Sequence, residues 1–174
     1  MLVIPGRCML SQVGIALALC MCGCADTSDD TNQSTQIAGG TVAGRTFQVE
    51  STTAGPQTGG GIVVNLADYP IFCGEIFSGA KHGSVLVALL LSDENSIPGE
   101  HAIPDEAWDS SVRASVTTWI EDSEGTVRAE PSTIVTSGKI TLSVVDESAV
   151  TGSVNLSADE LAISGPFSAS WCAP

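Results

Sequence analysis

The chain has 174 residues, enough for one domain and a leader, with 6 basic and 20 acidic side chains and a net charge of −14. That balance excludes a nucleic-acid partner, and a charged fraction of only 15% with a mean hydropathy of +0.26 excludes a disordered acidic tail. Aromatic residues make up 5% while glycine reaches 18, which points to a small-residue β domain rather than a helical bundle.

Residues 1–23 read as an export signal. Arg7 is their only charge, and every residue from Val13 to Gly23 is apolar or small. The run is too short to cross a bilayer, which takes about 20 apolar residues. It ends Leu19-Cys20-Met21-Cys22-Gly23-Cys24-Ala25-Asp26. Here the chain resembles bacterial lipoproteins, in which a small residue precedes a cysteine that is diacylated and becomes the new N-terminus. Gly23-Cys24 is the best fit, although Met21 stands where that family usually has Leu. The resemblance implies a lipid on Cys24 and attachment to a membrane through it. Ala25 follows where enteric lipoproteins kept in the inner membrane carry Asp, so the resemblance also implies the outer membrane. Several acyl chains would anchor stably, since each buried CH₂ contributes about 0.8 kcal/mol.

Residues 24–44 then form a lipidated, flexible tether, because Asp26, Asp29 and Asp30 among Ser, Thr, Asn, Gln and Gly cannot bury enough apolar surface to order the segment. Those aspartates lack the glycine turn and bidentate acid of a calcium loop. Residues 45–174 are expected to be a single β domain. Apolar residues there recur at period two: Phe47 and Val49; Ile62, Val64 and Leu66; Ala114, Val116 and Ile120; Ile140, Leu142 and Val144; Val150, Val154 and Leu156; Leu161, Ile163, Phe167, Ala169 and Trp171. Val85–Leu91 is apolar on both faces and reads as a central strand. Thr52–Gly61, Gly-rich with Pro56, reads as a loop. Short turn-like spacers make residues 112–172 an up-and-down meander, with Pro131 at a bend or edge and Pro166 a break in the last strand. Ile71, Phe72, Ile76 and Phe77 recur at helical spacing after Asp68 and Pro70, so a short helix is expected over 69–78. The fold class is all-β, an antiparallel sandwich, open barrel or meander with one short helix; the alternative is α+β, with that helix across a sheet face.

Chemistry is sparse. His82 and His101, the only histidines, fall in loops, and no GxSxG elbow is present. Ser78-Gly-Ala-Lys81 matches the SxxK of penicillin-binding enzymes without its SDN and KTG partners, and Ser137-Gly138-Lys139 lacks the rest of a P-loop. No enzyme activity and no cofactor are therefore expected. Acid pairs such as Asp93-Glu94, Asp105-Glu106, Glu121-Asp122, Asp146-Glu147 and Asp159-Glu160 sit in turns and read as a solvated surface, with calcium binding the sharper alternative. Trp119 lies on the otherwise polar face of its strand, making it a candidate platform for stacking on a sugar ring. The function expected is a non-enzymatic envelope lipoprotein with a structural or interaction role, contacting an envelope protein or glycan; the alternative is a carbohydrate- or calcium-binding surface module.

The last segment carries Gly138, Ile140, Thr141 and Leu142, then Val150, Gly152, Ser153 and Leu156, then Gly165, Phe167, Ala169 and Cys172. It resembles the C-terminal β-meander, ending in Cys, of a group of uncharacterised Gram-negative envelope lipoproteins. An earlier cysteine, Cys73, and the Pro98-Gly99 loop are similar too. The resemblance brings no activity with it. Of the six cysteines, Cys8, Cys20 and Cys22 would leave with the signal and Cys24 would carry lipid. Cys73 and Cys172 remain, an even pair in an oxidising compartment, and are expected to form one disulfide.

Overall fold

The computed structural model describes residues 37–105 and 110–173. The leader with Cys24, most of the expected tether, and Glu106, Trp108 and Asp109 lie outside the described residues. Twelve strands are described: β1 (Gly39–Val42), β2 (Arg45–Gln48), β3 (Ser51–Pro56), β4 (Ile62–Ala67), β5 (Val85–Leu91), β6 (Gly99–Ile103), β7 (Val112–Glu121), β8 (Val127–Ala129), β9 (Thr133–Ile134), β10 (Ser137–Val145), β11 (Ala149–Ala158) and β12 (Leu161–Trp171). One turn of 3₁₀ helix, Asp93–Asn95, is the only helical element among the described residues. The expected all-β class is the one found.

The strands form one open sheet, not closed into a barrel, in the order β6-β10-β11-β12-β3-β4-β5-β7-β8. β1 adds to β12 and β2 to β1, while β9 adds to β7. Every pairing is antiparallel except one: β12 runs parallel to β3, with Ser170 opposite Thr53 and Trp171 opposite Ala54. The inward residues of both halves, among them Val64, Leu66, Val87, Leu89 and Val116 on one side and Ile140, Leu156, Ile163 and Phe167 on the other, belong to one contiguous core. The sheet therefore curves over its own inner face. Small residues allow tight pairing inside it: a Cβ on Gly152 would stand 2.0 Å from the Thr141 carbonyl oxygen, and the Phe167 ring fills the space beside it.

Four expectations need correction. First, Ser51–Pro56 is a strand, and only residues 57–61 remain a loop. Its small residues carry no bulky apolar alternation; at Gly55 the space is limited, since a Cβ there would meet the Cys172 carbonyl oxygen at 3.2 Å. Second, the domain begins before residue 45, since Gly39–Val42 pairs with both β12 and β2. Third, the continuous meander covers only β10–β11–β12; β7 lies across the sheet beside β5, and Pro131 falls between β8 and β9, which pair with the same strand β7. Pro166 does not break β12. Its carbonyl accepts the Ala38 N–H at 2.8 Å, so the missing proline N–H points toward β1, where the neighbour of β12 is changing to β3, and the β11 ladder loses nothing. Fourth, no helix forms over 69–78. The segment runs as successive turns closed by Glu75 N–H to Phe72 C=O at 3.0 Å and Ala80 N–H to Phe77 C=O at 3.4 Å, with Gly74 at φ +79°. A helix would put Ile71, Phe72, Ile76 and Phe77 on one stripe; here Ile71 is buried and both phenylalanines face water.

Candidate functional site: a clamped loop over the outer sheet face

The outer face of β4, β5 and β7 carries an apolar patch, unusual for the solvent side of a sheet. Ala67, Leu86 and Trp119 project there, and the loop 68–84 covers them with Tyr69 and Ile71, joined by Ile76 and Ala80. This second cluster is separate from the main core. Trp119 is only 4% exposed, so it is not the exposed platform its strand position suggests. It lies beneath the loop, edge-on to Tyr69 with ring centroids 5.3 Å apart, and against Phe77 at 6.0 Å. The aromatic surface of this loop that reaches solvent belongs to Phe72 and Phe77, 62% and 60% exposed. The helical spacing of the segment flagged these residues and assigned them to the wrong environment.

The loop is pinned along its length. Asp68 Oδ1 accepts the Val85 N–H at 2.7 Å. Burial pushes the Asp68 carboxyl above its ordinary value, opposed by that hydrogen bond and by the Arg45 guanidinium. Tyr69 donates to the Ile76 carbonyl at 2.9 Å; burial, with the Asp68 charge behind it, pushes the phenol up to about 12, so it remains a donor. The Ser51 hydroxyl donates to the Ile71 carbonyl at 3.2 Å and accepts the Ile71 N–H at 3.3 Å. The expected Cys73–Cys172 disulfide is present, with S–S 2.04 Å and Cα–Cα 5.4 Å. It ties the middle of the loop to the residue that leaves β12, and the Cys172 N–H in turn reaches the Ala54 carbonyl at 2.6 Å.

Between this loop and β3–β4 lies a groove of about 510 Å³, a size suited to a small ligand. Gly55, Pro56, Val63, Ile76, Phe77 and the disulfide line it, and no charged side chain does among the described residues. Asn65 and Thr53 also line it, 7% and 6% exposed, with Asn65 Nδ2–H donating to Thr53 Oγ1 at 3.3 Å.

The remaining polar candidates are engaged locally. His82 Nδ1 accepts the Glu121 N–H at 3.0 Å and His101 Nε2 meets the Ile97 carbonyl at 2.9 Å. The Ser78 hydroxyl of the SxxK match donates to the Glu75 carbonyl at 3.2 Å. Asp122 and Asp146 close their own turns; backbone N–H groups of Thr126 and Glu124 hold Asp122 below the ordinary carboxylate value, and the Ser148 hydroxyl, then the Ser148 and Ala149 N–H groups, do the same for Asp146. Among the described residues, no three His, Cys, Asp or Glu side chains converge as a metal would need, and no helix is long and apolar enough to cross a membrane. Compared with known proteins, the chain matches no family model, no curated protein and no solved structure.

Proposed function

We propose that this chain is an exported, non-enzymatic lipoprotein, held at the outer membrane through a lipid on Cys24, and that its work is contact with another envelope component through the loop 68–84. The carrying observation is the pair of exposed rings, Phe72 and Phe77, on a loop fixed from both sides by the Cys73–Cys172 bridge and by Tyr69 and Ile71 packed around Trp119. Exposed aromatic rings cost a solvated protein and favour an interface. Fixing them in advance lowers the ordering cost of binding. The disulfide supports export, since such bonds persist in oxidising compartments. The net charge of −14 keeps the domain soluble and turns it away from other anionic surfaces.

The test uses the full chain in lipid nanodiscs, sedimented with outer-membrane and cell-wall fragments. The native chain is expected in the pellet and the Phe72→Ser/Phe77→Ser variant in the supernatant. Equal recovery of both in the supernatant, or equal recovery in the pellet, contradicts the role given to the loop.

A further inference from the structure

Asn65 is the one buried carboxamide facing the groove under the loop, in an uncharged wall where, among the described residues, Thr53 is the other buried polar side chain. A carboxamide offers two donors and an acceptor with two lone pairs. Within the described residues Asn65 makes a single, long hydrogen bond, from Nδ2 to Thr53 Oγ1 at 3.3 Å. Its Oδ1 and second N–H are left for whatever enters the groove. Asn65 keeps a small exposure, 7%, so these atoms are hydrated when the groove is empty, and an occupant that pairs with them exchanges water for a directional partner. At the rim, Phe77 is 60% exposed and its ring leans on Trp119, with centroids 6.0 Å apart and planes tilted by 46°.

These features select among occupants. The uncharged lining excludes the recognition of an ionic group. An extended peptide gains most of its affinity by extending a sheet edge, and here the edge of β3 is already taken: Ser170 and Trp171 pair with Thr53 and Ala54, and the Cys172 carbonyl lies over Gly55. What fits is a compact neutral molecule with a flat apolar face for Phe77 and an amide for Asn65. We infer that the groove between Asn65 and Phe77 binds an uncharged glycan carrying acetamido groups, its sugar face against Phe77 and its amide exchanging hydrogen bonds with the Asn65 carboxamide. The inference rests on the loop being a contact surface and names the ligand class of that surface. The stacking role assigned to Trp119 from its strand position thus passes to Phe77, which Trp119 supports from below.

The test is calorimetric titration of the full chain in nanodiscs with N,N′-diacetylchitobiose, and with cellobiose as the matched sugar lacking acetamido groups. Binding of the first and at least about tenfold weaker binding of the second are expected, a gap of about 1.4 kcal/mol. Phe77→Ala changes an exposed side chain and leaves the fold intact, and it should lose binding at least about tenfold, while Phe77→Trp retains it. Asn65→Leu should erase the preference for the acetamido sugar; its melting temperature is read in parallel, and if that variant unfolds, Phe77→Ala and the cellobiose comparison decide alone. No binding of diacetylchitobiose, equal binding of cellobiose, or equal or tighter binding of an acetyl-capped dipeptide amide overturns the inference. If the native chain still sediments with envelope fragments through Phe72 and Phe77 in that event, the loop's role stands and only the ligand class falls.

Discussion

Trp119 joins three structures that local sequence does not connect: the end of β7, the ring of Tyr69 and the exposed ring of Phe77. Truncating it to Ala should cost about 3–5 kcal/mol, as for other large buried aromatics, and should loosen Phe77 as well. Denaturant unfolding checks the first effect and the sedimentation of the variant the second. Its strand face was legible from the period-two pattern. Its burial was not, because the cover comes from a loop some 40 positions earlier in the chain (68–84 against 119). Asp68 gives a residue-level test with a definite sign. Its folded-state value is raised, so its favourable contribution is complete below the ordinary value of 3.8 and is lost as pH rises through the raised value. Asp68→Asn keeps an acceptor for the Val85 N–H and removes that loss. The variant's melting temperature should gain on the native chain's as pH rises above 3.8 toward neutrality. Asp122 and Asp146 act in the opposite sense: their contributions are present above 3.8 and disappear as pH falls through their lowered values. A pH profile of Asp68→Asn parallel to the native one would contradict the burial assigned to that carboxyl.

At the scale of elements, the bridge decides whether the loop is a fixed surface. Cys73 and Cys172 are 99 positions apart, and closing a loop of about 100 residues contributes about 4.7 kcal/mol by the chain-entropy argument. That is large beside the roughly 5–15 kcal/mol total of a typical domain. Replacing both cysteines by serine should lower the unfolding free energy by about that amount, read from a lower urea midpoint together with a steeper slope, since the unbridged denatured chain exposes more surface. An unchanged midpoint would show that the bridge adds nothing. The pairing itself was legible once the cysteines of the expected signal were set aside. The loop it clamps was misread as a helix, since apolar spacing alone cannot distinguish a stripe facing one surface from turns that send Ile71 inward and Phe72 outward. β3 was missed for a related reason. Its residues are small and carry no bulky alternation, and the neighbour that limits space at Gly55, the Cys172 carbonyl, is 117 positions away (172 − 55).

The described residues combine one curved open sheet, one inner core and one covered patch on the outer face. β2, β4, β7, β10, β11 and β12 announced themselves by alternation and β5 by its apolar run, as did the β10–β11–β12 meander by its short turns, whereas β1, β3, β6, β8 and β9 did not. Strand order did not: the β12–β3 pair joins segments from the two ends of the domain, and nothing in either segment alone encodes its register. The groove was also invisible in sequence, because Asn65 and Phe77 come together only through the fold of the loop back over β4. The proposed function requires this sheet to be exported, tethered by lipid and locked by the Cys73–Cys172 bridge. Intact-mass measurement of the chain extracted from the envelope tests it most directly, with thiol alkylation before and after reduction. The chain is expected to begin at Cys24, carry a diacylglyceryl mass, take up no alkylating agent as isolated and take up two equivalents once reduced. A chain retaining residues 1–23 without lipid, or one in which Cys73 and Cys172 alkylate before reduction, would contradict it.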